Sequence, residues 1–358
     1  MENSKKNLAN SSSSIIIKED DEPPDISGIS TITKNNIRTK LTEPSRKLGS
    51  FLVPEGKLKN ISVEIISDIK SCHDLWEEFS PKKVLFDTWE FRFAFYKGYE
   101  YEPYFILLKK DFENVALLPL WYDLKGYYVW FGSDWQEETT FFTRDKKYIP
   151  FLLSLAPSPL LLNAIPKKAI ERLKGKIDFT KDDSKYVLSL EGYKTHEDYL
   201  MALTKNSRHA LRKDRRRIER QNPKITFDNF SDLKKLIKLA QERFNARGED
   251  VDWKDKRRIE TFKQIIKLAG KSYVSRMITI TIGGKPAGVD LVCLYNNTYY
   301  AVKCGYNVDK FPGIGNFMNI IEIDDAIKLG MEKVDFLQNN YNWKSQYFEE
   351  VELFQYAK

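Results

Sequence analysis

Cysteine and histidine are scarce, with three of each in 358 residues. Cys72, Cys293 and Cys304 lie far apart with no Cys-x-x-Cys spacing, which excludes a disulfide framework and a thiolate metal site. His73, His196 and His209 show no ligand spacing either, so no metal is expected. No Gly-x-Ser-x-Gly elbow occurs, which removes the support for a Ser-His-Asp hydrolase. No apolar run approaches the ~20 residues of a membrane-spanning helix, and the mean hydropathy is −0.50. In Met1 to Lys18 the one apolar feature is Ile15-Ile16-Ile17, too short for a secretory signal. These absences predict a soluble, cytoplasmic chain with no membrane span.

What is present is apolar and aromatic: 42% hydrophobic residues and 13% aromatic ones, enough at this length for two folded units. Residues 1–59 stand apart. They are rich in Ser, Asn, Lys and acids, carry Pro23-Pro24, Pro44 and Pro54, lack periodicity, and are predicted to be a disordered tail. The first folded unit spans 60–190. Ile61 to Ile66 alternates as a strand, and Asp68 to Phe79 carries apolar residues at helical spacing. Trp89, Phe93 and Tyr96 share a helical face. Tyr104 to Leu108, Val115 to Tyr122 and Tyr127 to Phe131 form an antiparallel meander. A Leu-rich strand and helix over Pro150 to Lys174 and a strand at Tyr186 to Leu190 complete this unit.

The second unit, 191–358, opens with one long helix from Thr195 to Arg220, ended by Asn222-Pro223. A strand at Ile225 to Phe227 and helices over Asp232 to Arg247 and Trp253 to Leu268 follow. Val274 to Ile282, Ala287 to Tyr295 and Thr298 to Cys304 then make a meander turned by Gly283-Gly284 and Asn296-Asn297. Pro312-Gly313-Ile314-Gly315-Asn316 leads from the last of these strands into a helix ended by Gly330. The strand Val334 to Leu337, the stretch Gln338 to Lys344 and a strand around Val351 to Tyr356 close the chain. A Gly-rich turn feeding a helix leaves backbone N–H groups and the positive dipole end facing outward, which suits a phosphate or pyrophosphate.

The order of Arg-rich helix, meander, Pro-Gly loop and late strand ending near Tyr347 resembles the GNAT-type acetyltransferase family associated with cellulose biosynthesis. Phe86 to Trp89 and Val115 to Leu120 resemble the first half of that family, and the match spans about residues 60 to 348. A related group is the Fem-type peptidoglycan-bridge transferases, which pair two GNAT-like units and use aminoacyl-tRNA. The resemblance implies an α+β fold of two tandem GNAT-like units, each a mixed, mainly antiparallel sheet flanked by helices. It implies an N-acyltransferase taking an acyl group from acetyl-CoA or another acyl-CoA to an amine acceptor such as an amino sugar or amino acid, in cell-surface polysaccharide synthesis. Charged tRNA is the alternative donor, and a non-catalytic binding module is the alternative to an enzyme.

On this resemblance Gly313, Ile314, Gly315 and Asn316 hold the CoA pyrophosphate, and bulky residues at 313 and 315 are expected to abolish binding with the fold intact. Tyr299 to Cys304 is expected to splay from Val334 to Leu337 and admit the pantetheine arm. Asp335, Tyr341 and, less favoured, Asp290 are candidates to take the amine proton, and Lys344 is a candidate to hold an anionic acceptor. The family's Gly before its Tyr-Lys end is missing, since Asn340-Tyr341-Asn342-Trp343-Lys344 stands there. Phe131-Gly132-Ser133-Asp134 has one glycine at the corresponding place in the first unit, which is expected to act as scaffold or acceptor platform. Lys205 to Arg220 is either a solvated face or a site for RNA, CoA phosphates or an anionic glycan; it holds no Phe, Tyr or Trp for base stacking. Cys304, with no histidine near it in sequence, is expected to be a packing thiol. Tyr341, Trp343 and Tyr347 either line an acceptor pocket or cap the core.

Overall fold

Alternating apolar residues and turn chemistry set the strands. In the computed structural model, which describes residues 60–134, 138–173, 175–246, 254–339 and 343–358 and the two-residue strands Thr39–Lys40, Lys47–Leu48 and Phe51–Leu52, they build two main sheets. Apart from Thr39–Lys40, Lys47–Leu48 and Phe51–Leu52, the expected tail 1–59 lies outside the described residues, and so does Tyr341.

The first sheet is antiparallel, in the order β1 (Ile61–Ile66), β2 (Pro103–Lys110), β3 (Glu113–Tyr122), β4 (Tyr128–Trp130), with β5 (Phe142–Thr143) on β3. Helices α1 (Ile69–Phe79) and α2 (Trp89–Tyr99) pack on one face. Asp68 caps α1 by accepting from Ser71 N at 2.9 Å. Over 149–170 helix α3 (Ile149–Leu155) precedes strand β6 (Leu161–Pro166), which leads into a short helix at Lys167–Ile170, so the expected strand and helix have a further helix before them. Pro150 favours a helix start, because its missing N–H is needless in a first turn.

The second sheet runs β8 (Lys224–Phe227), β9 (Val274–Ile282), β10 (Lys285–Tyr295), β11 (Thr298–Tyr306), β12 (Lys333–Gln338), β7 (Lys185–Ser189), β13 (Glu349–Val351). Its pairs are antiparallel except β11 with β12. Helices α4 (His196–Ala202), α5 (Lys205–Glu219), α6 (Leu233–Ala246), α7 (Lys256–Leu268) and α8 (Ile314–Lys328) flank it. The expected single helix over 195–220 is broken in two, because the Thr204 hydroxyl caps α5 by accepting from Ser207 N at 3.2 Å.

Strands cross between the sequence halves. β7 joins the second sheet beside β12, while the C-terminal β14 (Leu353–Ala357) pairs with β6. One apolar core runs through both: Trp76, Phe95 and Phe105 share a cluster with Phe262, Met277 and Tyr300. Gly98 allows α2 to meet α7, since a methyl carbon there would lie 2.0 Å from Thr261 Oγ1 and 2.7 Å from Arg257 O. The chain is therefore an α+β fold of two tandem units with continuous packing between them.

Candidate functional site

The parallel pair β11 and β12 starts in register, Thr298 against Lys333, Tyr299 against Val334 and Tyr300 against Asp335, and then separates. The cause lies on the other edge of β11. Its ladder to β10 jumps from Leu291–Lys303 to Val292–Ala301, leaving Val302 as an inserted residue. A bulge bends its strand and raises the local twist. β11 also passes tightly beneath α6, where a methyl carbon on Gly305 would lie 2.4 Å from Leu236 O. The ladder between 301–306 and 336–338 is therefore open, in keeping with the expected splay.

Lys344 sits at that opening. Its Nζ donates to Phe336 O at 2.6 Å, Gln338 O at 2.8 Å and Leu337 O at 3.4 Å. Leu337 and Asn339 take positive φ of 58° and 68°, curling the end of β12 around the ammonium. Burial holds Lys344 down at about 8, against the opposing pull of Cys304, Asp335 and Glu322 nearby. Cys304 is solvent-exposed on β11. Trp343 and Tyr347 pack against the core of the second unit.

Asp335 is buried and already occupied. Its Oδ2 accepts from Lys185 Nζ at 2.9 Å and its Oδ1 from Leu337 N at 2.9 Å, while Lys185 also donates to Glu138 Oε2 at 2.5 Å. Asp290, opposite Cys304 in the ladder, is 1% exposed and accepts from Tyr306 Oη at 2.8 Å. Glu322, from α8, is 2% exposed and lies near the Asp290 carboxyl, whose Oδ1 has no hydrogen-bond partner among the described residues. Burial pushes Asp290 up to about 8 and Glu322 well above its ordinary value.

The loop into α8 has the expected form, with Gly313 at φ 91° as N-cap. It is not bare. A methyl carbon on Gly313 would lie 2.7 Å from Asp214 Cγ, and Asn316 Nδ2 donates to Asp214 Oδ2 at 2.7 Å. A carboxylate from α5 thus rests on the helix N-terminus. Gly313 is needed by the fold itself, which corrects the expectation that a bulky residue there would leave the fold intact. Gly315 differs, since a methyl carbon there meets the Tyr306 ring at 3.4 Å, an ordinary contact.

In the first unit the equivalent turn is closed by Arg92. Gly132 stands against the Arg92 backbone, where a methyl carbon on the glycine would lie 2.6 Å from Arg92 O, and the buried guanidinium donates to Gly132 O at 3.1 Å. The structure places Asp335 on β12 with Lys344 against the end of the same strand, buries Asp290 on β10 behind Tyr306, and sets Gly313 to Asn316 at the start of α8. Sequence reasoning missed Asp214, Lys185, Tyr306 and Glu322. Each acts through a contact distant in sequence, and Tyr306 alone carried a signal, as the last residue of the strand before the loop.

Residues 205–345 match the acetyltransferase (GNAT) domain family. No curated protein matches the sequence. Among solved structures, a conserved protein of unknown function from Bacteroides thetaiotaomicron is 12% identical, with 81% of this chain and 98% of that one covered at a TM-score of 0.53. FemX is 10% identical, with 82% and 97% covered at 0.53. A tandem GNAT protein from the clavulanic acid biosynthesis pathway is 7% identical, with 83% and 98% covered at 0.50. At such identities these likenesses establish the fold. The chain carries a GNAT acetyltransferase domain over residues 205–345, set in a fold of two tandem GNAT-like units.

Proposed function

We propose that the protein is an N-acyltransferase that takes an acyl group from acyl-CoA to an amine acceptor, an amino sugar or amino acid, at the opening between β11 and β12. The separation of these strands after Tyr300 and Asp335 carries this reading. Strand edges freed from each other offer backbone donors and acceptors to an extended amide-bearing arm, and such an arm delivers its thioester to a fixed point between them. Positioning beside the amine and polarisation of the carbonyl supply much of the rate.

Lys344 places a positive charge where negative charge develops on the carbonyl oxygen, and its three carbonyl contacts fix the strand end that shapes the opening. Asp335 has a positioning role, holding Lys185 against Glu138 behind β12. Gly313, Ile314, Gly315 and Asn316 are proposed to meet the donor's pyrophosphate, which requires Asp214 to turn aside.

That last requirement favours a second reading. A carboxylate at the N-terminus of α8 repels a pyrophosphate, while the outward stripe of α5 is basic, so a charged-tRNA donor in the Fem manner fits both features. Calorimetric titration with acetyl-CoA, CoA and aminoacyl-tRNA separates the donors. Binding of acetyl-CoA with thiol release on adding amines supports the first reading, binding of charged tRNA alone supports the second, and silence with all three sinks both.

A further inference from the structure

We infer that Tyr306, Asp290 and Glu322 form a proton relay that carries the proton of the attacking amine from the opening into a buried carboxyl pair. This rests on the acyltransferase reading and assigns its proton-accepting residues.

Tyr306 ends β11 on the diverging side of the opening and is half-buried. It lines a cavity of about 190 Å³ with Arg243 and residues 307–309. Its ring is held between two glycines: methyl carbons on Gly288, its ladder partner, and on Gly315 would lie 3.2 and 3.4 Å from it. A side chain at Gly288 would push the ring, and one at Gly315 would come into contact with it, so its aim is constrained on both sides. Its hydroxyl donates inward to Asp290 Oδ2 at 2.8 Å. Behind it, Asp290 and Glu322 are both buried and near enough that a negative charge on one opposes a charge on the other. A dry carboxyl pair is an expensive arrangement for packing alone, because apolar residues of the same shape would fill the space at less cost.

The step balances as follows. The amine nitrogen bonds to the thioester carbonyl carbon and the carbon–sulfur bond breaks. The amine proton passes to Tyr306 Oη as the proton of Tyr306 moves to Asp290 Oδ2. The departing thiolate takes a proton from water, and the hydroxide so formed takes back the proton left on Asp290 by way of Tyr306, which restores the relay. Tyr306 touches the reacting groups, whereas Asp290 and Glu322 act through it. The charged and titratable groups around them are Cys304 and Lys303 on β11, Arg243 on α6, Asp325 on α8, Tyr299 and Lys344. Asp290 can receive a proton only when deprotonated, which gives the rate a rising limb toward pH 8, opposed above that pH by loss of the Lys344 ammonium.

The experiment uses the full chain and the variants Tyr306→Phe, Asp290→Asn and Glu322→Gln. Infrared difference spectroscopy needs no substrate: the wild type should show a protonated-carboxyl C=O band that bleaches as pH rises through about 8, and Asp290→Asn should lose it. With acetyl-CoA and an amine panel, Tyr306→Phe should lower kcat about 100-fold with donor binding unchanged, and Asp290→Asn should abolish the rising pH limb. No band, or a band with kcat and pH profile unchanged in both variants, overturns the relay. A wild type that shows the band but acylates no amine overturns the enzymatic reading and the relay with it, while the band records that the carboxyl pair itself exists.

Discussion

Asn316 donates to Asp214 at 2.7 Å across the start of α8, so the helix end expected to greet a pyrophosphate already faces a carboxylate. The contact is long-range in sequence and joins the Arg-rich helix to the Gly-rich loop. Asp214→Asn keeps an oxygen acceptor for Asn316 and removes the charge. Relief of like-charge repulsion is worth about 1 kcal/mol at a partly exposed site. CoA affinity should therefore rise about fivefold in calorimetric titration, and equal affinity would show that no phosphate approaches this helix end.

Lys344 gives a prediction on stability and pH together. Its folded value of about 8 lies below the ordinary 10.5. Between these values the unfolded chain binds more protons than the folded one, so stability rises with pH across that window and is lost again as pH falls through about 8. The gain is on the order of 3 kcal/mol. Lys344→Met should flatten this rise in urea unfolding followed from pH 7.5 to 10.5, and should remove transferase activity. A wild-type slope that survives in Lys344→Met would assign the rise to another group.

Local physics was legible in the sequence to the extent that local contacts decide it. The turns Gly283-Gly284 and Asn296-Asn297 have the positive φ that their residues favour, and β9 spans Val274–Ile282 as its alternation predicts. The divergence of β11 from β12 is foreseen only through family resemblance, since the bulge at Val302 has no marker in Ala301-Val302-Lys303. The exchange of β7 and β14 between sheets was illegible, because their alternation says which face is buried but not which neighbour supplies the ladder. Asp335 reads as a free base for the same reason: its partner Lys185 is 150 residues away in the chain.

That ion pair can be tested apart from catalysis. Asp335→Asn leaves the buried Lys185 ammonium with Glu138 alone. Removing one partner of a buried pair typically costs about 3–5 kcal/mol. The denaturation midpoint should fall accordingly, whereas Asp335→Asn should leave the pH profile of any surviving activity unshifted. A large change in that profile with little loss of stability would return Asp335 to the role of proton acceptor.

The basic face of α5 offers the sharpest division between donors. At about 100° per residue, Lys205, His209, Lys213, Arg216 and Arg220 share one exposed stripe about 22 Å long. Asp214 points instead to α8, and Arg215 is tied to Glu197 and Glu219. No Phe, Tyr or Trp interrupts the stripe, so any nucleic acid it holds is held mainly by phosphates. Each such contact releases counterions, and removing one lowers the slope of log affinity against log salt by about 1. The triple variant Lys213→Glu, Arg216→Glu, Arg220→Glu should therefore flatten the salt dependence of charged-tRNA binding by about 3 if tRNA is the donor, and leave acetyl-CoA binding at wild-type affinity. If acetyl-CoA binding collapses instead, the stripe serves the phosphates of CoA, and the second reading loses its main support.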